Sequence, residues 1–204
     1  MNLTHTTSRK KMISLKITYR LVLFLVSIIL LIGCATQPKL AETEFHLTRN
    51  DTAKLPLPGT HPDIEHQQLL TTTVRGHDIS FYAIVTIKDN KLELMALTPV
   101  GIRIFKAIYD GSTVTTEQFI PDIPLPNMTE VIANIMLAYY PKDSWEMVLP
   151  LNITINDSLF DRKVHNAQQG TIITIEYEQI NGLNHPTKIH NSALNYTINL
   201  KNIK

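Results

Sequence analysis

The sequence predicts a mainly β protein of the α+β type: a curved, open antiparallel β-barrel whose concave side is covered by one helix. Three observations support this prediction. Short segments rich in β-branched and aromatic residues are joined by polar turns, as strands of an antiparallel sheet are. A proline-rich connection and one apolar helix follow the first group of strands. A second group of strands then completes the chain, so a single helix is available to plug the sheet.

Residues 69–119 predict a meander of five strands. The segments between the strands carry glycine, proline, asparagine or aspartate, and the polar turn at 88–91 is short enough for a hairpin. The predicted strands are residues 69–74, 79–87, 92–97, 102–109 and 113–119.

A helix is predicted for residues 128–140. Three prolines within 121–126 exclude a regular strand or helix just before it. Asn127, with Glu130 three positions later, is typical of a capped helix start, and Pro141 stops the helix. Apolar residues recur at helical spacing and also fill positions outside that stripe, so we expect the helix to be buried on more than one side.

The second group of predicted strands covers the C-terminal part of the chain. The last strand alternates most clearly between apolar and polar residues, which fits a sheet with one dry and one wet face. Two shorter segments, 145–149 and 153–155, are ambiguous. The predicted strands are residues 159–165, 171–178, 187–190 and 194–200.

Residues 1–33 are predicted to be a lipoprotein signal peptide. Five basic residues precede the apolar run 21–32, and no acidic residue occurs before Glu42. That run is shorter than the ~20 residues of a membrane-spanning helix. Gly33 and Cys34 complete a lipobox, so Cys34 is the predicted lipid-attachment residue; the alternative is an uncleaved anchor with an incidental cysteine. As the only cysteine of the chain, Cys34 has no disulfide partner.

The region after the lipobox predicts where the protein is held. Ala35 and Thr36 lack the aspartate that retains lipoproteins in the inner membrane, so the outer membrane, on its periplasmic face, is the expected location. Residues 34–60 show prolines and no sustained period and are predicted to be a lipidated tether, with the domain at 61–204. Without the signal peptide the net charge is near −4. We therefore expect the protein not to bind nucleic acid. We also expect it to be a monomer.

Motifs of catalysis and metal binding are missing from the sequence. His46, His61 and His66 are not spaced as a compact ligand set, and no metal or cofactor is predicted. The sequence has no Gly-x-Ser-x-Gly elbow and no His-Glu-x-x-His motif, so we predict no catalytic residue and no enzyme activity. A lipid hydrolase or acyltransferase of the envelope remains as a less favoured alternative.

An incompletely filled barrel encloses an apolar cavity. Entry of an acyl chain into it is driven by apolar burial at ~25 cal/mol per Å². Complete closure of the helix on the sheet, which leaves only a core, is equally compatible with the periodicity. The candidate cavity residues are large, apolar or aromatic, and lie on the helix stripe or at strand centres. They are Phe81, Leu94, Ile104, Val131, Ile135, Met136, Tyr139 and Tyr177.

Residues 92–140 resemble the outer-membrane lipoprotein receptor LolB. The likeness rests on the run LTPVG at 97–101, between two strands, and on IPLP at 123–126, before the apolar helix. It continues weakly through residues 175–177 and 185–186 to the final strand. The chain is also similar to uncharacterised bacterial lipoproteins that are related to LolB and often encoded with biosynthetic genes for aryl-polyene-type lipids.

This resemblance implies a LolA/LolB-like open barrel with a helical lid and a cavity that accepts acyl groups. The implied function is that of an outer-membrane lipoprotein that binds or receives an acylated cargo, a lipoprotein or an aryl-polyene-type lipid, from a periplasmic LolA-like carrier. Pro99 and Val100 would form a membrane or cargo loop.

Two alternatives to this implied function remain open. LolB carries a protruding leucine where this chain has Val100. Valine reaches less far and buries less apolar area, so general lipoprotein insertion is less favoured for this chain. Val100 is equally well explained as a turn residue. The other alternative is an assembly lipoprotein that docks another protein by a sheet edge or by residues 121–126, without a ligand.

Overall fold

A computed structural model describes residues 42–74 and 77–203. The predicted signal peptide and Cys34 lie outside these residues. The strands are β1 (Glu44–His46), β2 (Thr52–Lys54), β3 (Ile64–Val74), β4 (His77–Lys88), β5 (Lys91–Leu97), β6 (Arg103–Tyr109), β7 (Val114–Gln118), β8 (Ile153–Asp157), β9 (Asp161–Asn166), β10 (Gly170–Ile180), β11 (Leu183–Asn191) and β12 (Tyr196–Asn202). The helices are α1 (Met128–Tyr139) and α2 (Asp143–Glu146), and Pro58–Thr60 form a 3-10 turn.

Ten of the strands form one antiparallel sheet. Its order is β7-β6-β5-β4-β3-β12-β11-β10-β9-β8, so each half of the chain forms a meander and the two meanders join where β3 pairs with β12. The sheet is not closed into a barrel, because β7 and β8 stay at its two edges. The predicted mainly β fold, an open antiparallel sheet with one helix before the second group of strands, is confirmed.

Turn residues fix the register of the hairpins. Asp89 and Asn90 have φ of 52° and 58°, and the later pair Asn181 and Gly182 also has positive φ. Two consecutive residues with positive φ are typical of the tight hairpin turn that matches strand twist, and asparagine, aspartate and glycine adopt this conformation most easily. These turns therefore align the apolar positions of neighbouring strands on one face.

The inner face of the sheet carries the core. Val85 on β4 pairs with Leu94 on β5, and Leu94 pairs with Ala107 on β6, so buried side chains line up across three strands. All three are almost completely buried. Because side chains alternate along a strand, the intervening residues face away from this core.

Helix α1 begins and ends within one residue of the prediction. The Asn127 side chain accepts a hydrogen bond from the Thr129 backbone N–H (2.9 Å), and the helix ends with Tyr140 as its C-terminal cap. An N-cap of this type satisfies a backbone donor that has no partner inside the helix. Buried residues occur on every side of the helix, as predicted.

Contacts on opposite sides place α1 between two layers. On one side, the Thr129 hydroxyl donates to the carbonyl of Glu42 (3.0 Å), next to β1. On the other side, the Tyr196 hydroxyl of β12 donates to Asn134 (2.8 Å). The helix therefore lies between the N-terminal segment and the inner face of the sheet.

The prediction that residues 34–60 are a tether is wrong for the part that the structure describes. Phe45, Leu47, Ala53 and Leu55 are 4 % exposed or less and belong to the core. The Tyr109 hydroxyl also donates to the carbonyl of Leu55 (3.3 Å). β1 and β2 have only three residues each, which is too short for a sequence period to be recognised. The folded domain therefore begins well before residue 61.

The remaining differences concern short elements and strand ends. The ambiguous segment 145–149 begins in the single turn α2, whose Trp145 is completely buried, and residues 153–155 belong to β8.

Three predicted strands have other bounds in the structure. β3 begins at Ile64 rather than 69, and β11 covers Leu183–Asn191 rather than 187–190. The last strand begins at Tyr196, two residues later than predicted, because Asn195 takes a positive φ of 58° in the preceding turn. These differences lie at strand ends, where local sequence is least informative.

Arg162 joins the C-terminal end of α1 to the sheet by hydrogen bonds. Its Nη1 donates to the carbonyls of Leu137 (2.7 Å) and Tyr140 (2.6 Å). Its Nε and Nη2 donate to the two carboxylate oxygens of Asp157 on β8 (2.7 and 2.8 Å). Carbonyls at the end of a helix lack partners inside it, and a guanidinium supplies charged donors for them. Arg162 thus helps to hold the end of α1 against β8 and β9.

Residues 40–204 form one compact unit. The hydrophobic core of the described ranges lies within it. A unit with its own core is expected to fold without the preceding residues. None of the helices in the described part of the chain is long and apolar enough to cross a membrane.

Candidate functional site

One face of α1 points at the inner face of the sheet. Asn134 contacts β12, and the ring of Tyr139 stacks on His66 of β3 with the ring centroids 4.9 Å apart. With 3.6 residues per turn, Val131 and Ile135 lie between Asn134 and Tyr139 round the helix axis. The side chains of Val131 and Ile135 are therefore directed at the sheet, between β12 and β3.

This face of α1 is less completely buried than the opposite face. Ile132, Met136 and Leu137 are at most 1 % exposed, whereas Val131 and Ile135 are only partly buried. In a fully closed helix–sheet interface, the side chains that face the sheet would be more buried than those on the opposite face of the helix. Val131 and Ile135 therefore keep part of their apolar surface accessible.

Three partly buried side chains of the sheet lie on the same side. Leu70 on β3 pairs directly with Phe81 on β4, and Ile198 on β12 is the neighbour of Thr72 on β3. Leu70, Phe81 and Ile198 are apolar and incompletely covered. The surface formed by the three sheet residues together with two from the helix is called the cleft below. Its members are Leu70, Phe81, Val131, Ile135 and Ile198.

The structure brings four of the eight predicted cavity residues together. Phe81, Val131 and Ile135 are cleft residues, and Tyr139 lies at the end of the same helix face. Their common features in the sequence were a large apolar or aromatic side chain and a position on the helix stripe or at a strand centre. Their role in ligand binding stays a prediction.

The other four predicted cavity residues do not line the cleft. Leu94 and Met136 are core residues with 1 % and 0 % exposure. The Tyr177 hydroxyl donates to the carbonyl of Ala138 (2.9 Å) and so supports the helix end. Strand alternation puts Ile104 on the face of β6 opposite its buried residues, at a register shift between β5 and β6.

A cluster of five polar or aromatic side chains lies at the Tyr139 end of the cleft, and it is called the polar cluster below. Gln68 on β3 donates to the side-chain carbonyl of Asn202 (3.2 Å), and Asn202 donates to Nδ1 of His185. The His185 ring meets the His66 ring edge-on at 5.9 Å, and His66 stacks on Tyr139. The sequence analysis missed this cluster, because its members come from β3, α1, β11 and β12.

Burial favours the neutral forms of two members of the polar cluster, His66 and Tyr139. Burial lowers the pKa of His66, and the nearby charges of His185 and His61 lower it further. Burial also raises the pKa of Tyr139 well above its usual range, and Tyr177 adds to the effect. Tyr139 therefore keeps its proton and remains a hydrogen-bond donor.

The Tyr139 hydroxyl has no hydrogen-bond partner within residues 42–74 and 77–203, although its oxygen is buried. Most buried polar groups in proteins do have a partner, so this atom requires an explanation. No group of three or more His, Cys, Asp or Glu side chains in the described ranges is arranged to hold a metal ion.

The β5–β6 turn carries two exposed apolar side chains. Val100 is 82 % exposed and Ile102 is 56 % exposed. The turn itself is well defined: the Thr98 backbone N–H donates to the carbonyl of Ile102 (2.8 Å), and that of Gly101 donates to the carbonyl of Thr98 (2.8 Å). Gly101 has φ +87°, which a side chain would disfavour. The predicted loop residues Pro99 and Val100 thus lie on a defined, apolar projection.

Two further exposed apolar residues lie at the same end of the sheet. On β4, Ile79 lies outside the part of the strand that pairs with β5. Ile123 lies in the connection from β7 to α1. Ile79 is on the same strand face as Phe81, two residues away. These residues connect the exposed turn to the cleft and are called the apolar rim. Its members are Ile79, Val100, Ile102 and Ile123.

Comparison with protein families identifies a family of unknown function. The family model described as "Protein of unknown function (DUF3261)" matches residues 65–204. This range contains the cleft, the apolar rim and the polar cluster, but not β1 and β2. No curated protein matches the chain significantly.

Proposed function

We propose that this chain, which belongs to the DUF3261 family of proteins of unknown function, is a lipid-anchored and non-enzymatic protein that binds an acylated molecule in its cleft. The anchor would be Cys34, and the location the periplasmic face of the outer membrane. The cargo would be an acylated lipoprotein or an aryl-polyene-type lipid, received from a LolA-like carrier.

One observation carries this proposal: the helix face that points at the sheet is the less buried face of α1. Val131 and Ile135 would bury further apolar surface if an alkyl chain filled the cleft. Each buried methylene contributes about 0.8 kcal/mol, so a few methylenes already offset a large part of the cost of association. Transfer from a carrier would need no nucleotide if the cleft binds the chain more tightly than the carrier does.

The proposal is tested by ligand displacement from residues 40–204. A fluorescent apolar probe is bound to protein that has been freed of lipid, and fatty acids of increasing chain length compete for the site. We expect affinity to rise by about fourfold for each added methylene until the cleft is filled, because 0.8 kcal/mol corresponds to that factor. Competition that is absent at every chain length would contradict the proposal.

The apolar rim provides a second, independent prediction. The double substitution Val100→Asp and Ile102→Asp is expected to lower association of residues 40–204 with phospholipid vesicles by about tenfold or more, because two exposed apolar side chains are lost from the contact. Stability is expected to change by less than about 0.5 kcal/mol, since both side chains are exposed. Vesicle co-sedimentation and thermal unfolding measure the two effects.

A matched control for the rim is Leu159→Asp, which removes an exposed leucine from the other end of the sheet. This variant is expected to sediment with vesicles as the unchanged protein does. If the rim variant also sedimented normally, the rim would have no role in membrane contact.

A second candidate function is the docking of a protein partner, and one surface favours it. Leu159, Phe160 and Leu183 are 61–65 % exposed. They lie beside one another across β10, since the Tyr177 backbone N–H donates to Phe160 and the Gln179 side chain donates to Leu159. Contiguous exposed apolar residues often mark interaction sites. Recovery of one stoichiometric envelope protein, lost in Phe160→Ser, would support this role.

A further inference from the structure

The unpartnered Tyr139 hydroxyl lies where the apolar cleft meets the polar cluster. Its oxygen is buried, and in the described ranges no protein group accepts its hydrogen bond. A buried donor without an acceptor destabilises the unliganded protein, whereas a ligand that supplies the acceptor is bound more tightly. The Tyr139 hydroxyl is thus a donor that an additional molecule can satisfy. Nδ1 of His46 and Nε1 of Trp145 are the other buried side-chain atoms without a partner in the described ranges, and neither residue belongs to the polar cluster.

The hydrogen-bond directions in the polar cluster leave further donors free. His185 Nδ1 accepts from Asn202, so the neutral ring carries its proton on Nε2. Gln68 holds Asn202 in this orientation by donating to its side-chain carbonyl. His66 makes ring contacts with Tyr139 and His185, and its nitrogens form no hydrogen bond to other residues in the described part of the chain. The free groups are therefore mainly donors.

The free donors of the cluster favour a ligand atom that only accepts hydrogen bonds, as a carboxylate oxygen does. None of the ion pairs formed within the described ranges includes a residue of the polar cluster. The cluster contains no lysine or arginine, the side chains that most often hold phosphate groups. A carboxylate is accordingly the better match.

The cleft supplies the place for an alkyl tail. Val131, Ile135 and Tyr139 are four residues apart along one face of α1, so the cleft extends about 12 Å along the helix from the polar cluster. Toward the other end the sheet carries Phe81 and then Ile79 of the apolar rim. A single chain with one polar head fits this arrangement better than a molecule with several head groups.

We propose that the polar cluster binds the carboxylate of a long-chain fatty acid, with the Tyr139 hydroxyl as a donor to it and the alkyl tail along Val131 and Ile135. This inference rests on the proposed function, because it names the ligand class of the same cleft. Tyr139 would act as a head-group donor, and His66 and His185 would border the carboxylate.

The test compares palmitate with its neutral ester, methyl palmitate, on residues 40–204 by isothermal titration calorimetry. We expect palmitate to bind about tenfold more tightly than the ester, because hydrogen bonds to a charged acceptor are the stronger ones. Tyr139→Phe is expected to lower palmitate affinity by about tenfold and to leave ester affinity within about twofold. Its melting temperature should not fall, since no hydrogen bond between protein groups is lost.

Two further variants complete the test. Tyr82→Phe is the matched control, because Tyr82 lies on the outer face of β4 and pairs with Leu97 rather than facing the cleft. It is expected to bind both ligands normally. His185→Leu removes the second free donor, because leucine has no hydrogen-bonding group, and it is expected to weaken palmitate binding only.

The outcomes separate this inference from the proposed function. Equal affinity for palmitate and methyl palmitate, unchanged in Tyr139→Phe and His185→Leu, would overturn the head-group assignment while acyl binding itself stands. Binding of neither ligand by the unchanged protein would contradict the proposed function, and with it the inference. If both variants bind palmitate more weakly but keep their affinity for methyl palmitate, the head-group site is supported.

Discussion

Replacing Arg162 by methionine is expected to lower the free energy of unfolding by about 3 kcal/mol. The guanidinium is 92 % buried and donates to the carbonyls of Leu137 and Tyr140. Methionine fills a similar space but has no donors, so both helix-end carbonyls lose their partner. Asp157 retains access to water because its side chain is 41 % exposed, so its contribution to the loss is the smaller one.

The measurement is equilibrium unfolding of residues 40–204 in urea. Lys163→Met is the matched control, since Lys163 is the next residue along β9 and forms an exposed ion pair with Asp161. An exposed pair contributes little, so this variant is expected to change stability by less than about 0.5 kcal/mol. A loss below about 1 kcal/mol in Arg162→Met would mean that α1 is held in place mainly by apolar packing.

The substitution Ile135→Phe is expected to lower fatty-acid affinity by about tenfold while changing stability by less than about 1 kcal/mol. A cleft with free space accommodates the larger ring, which then occupies volume that the alkyl chain needs. If the helix and the sheet instead closed on each other completely, the added atoms would overpack the interface and cost ~1–3 kcal/mol. Displacement and urea unfolding together distinguish the two structures.

Met136→Phe provides the comparison on the next residue of α1. Met136 is completely buried, so its replacement by the more rigid ring is expected to destabilise the protein without acting on the cleft directly. The predicted pattern is therefore opposite for the two variants: Ile135→Phe affects binding more than stability, and Met136→Phe affects stability more than binding. Equal destabilisation by both would indicate a closed interface.

The parts of the fold that local sequence determines were predictable. Hairpin turns such as Asp89 and Asn90 depend on residues that accept positive φ, and α1 begins where Asn127 caps it. Both signals occupy a few adjacent residues. The order of β3 to β7 followed from them, because consecutive strands with short turns pair with their neighbours.

The parts that depend on distant residues were not predictable. β1 and β2 look like a tether because their apolar residues, such as Phe45, become significant only when α1 and the sheet cover them. The polar cluster is a similar case: His66 and His185 are far apart in sequence, and β3 and β11 come together only because each pairs with β12. The strand face on which Ile104 lies was also not predictable, because the register shift next to it has no clear sequence signal.

The central claim is that the cleft holds an acyl chain, and native mass spectrometry tests it most directly. Residues 40–204 would be purified from a bacterial periplasm and weighed before and after extraction with organic solvent. We predict a removable adduct with the mass of an acyl or polyene lipid, present in the unchanged protein and reduced in Ile135→Phe. An identical mass before and after extraction, with no uptake of added lipids, would contradict the claim.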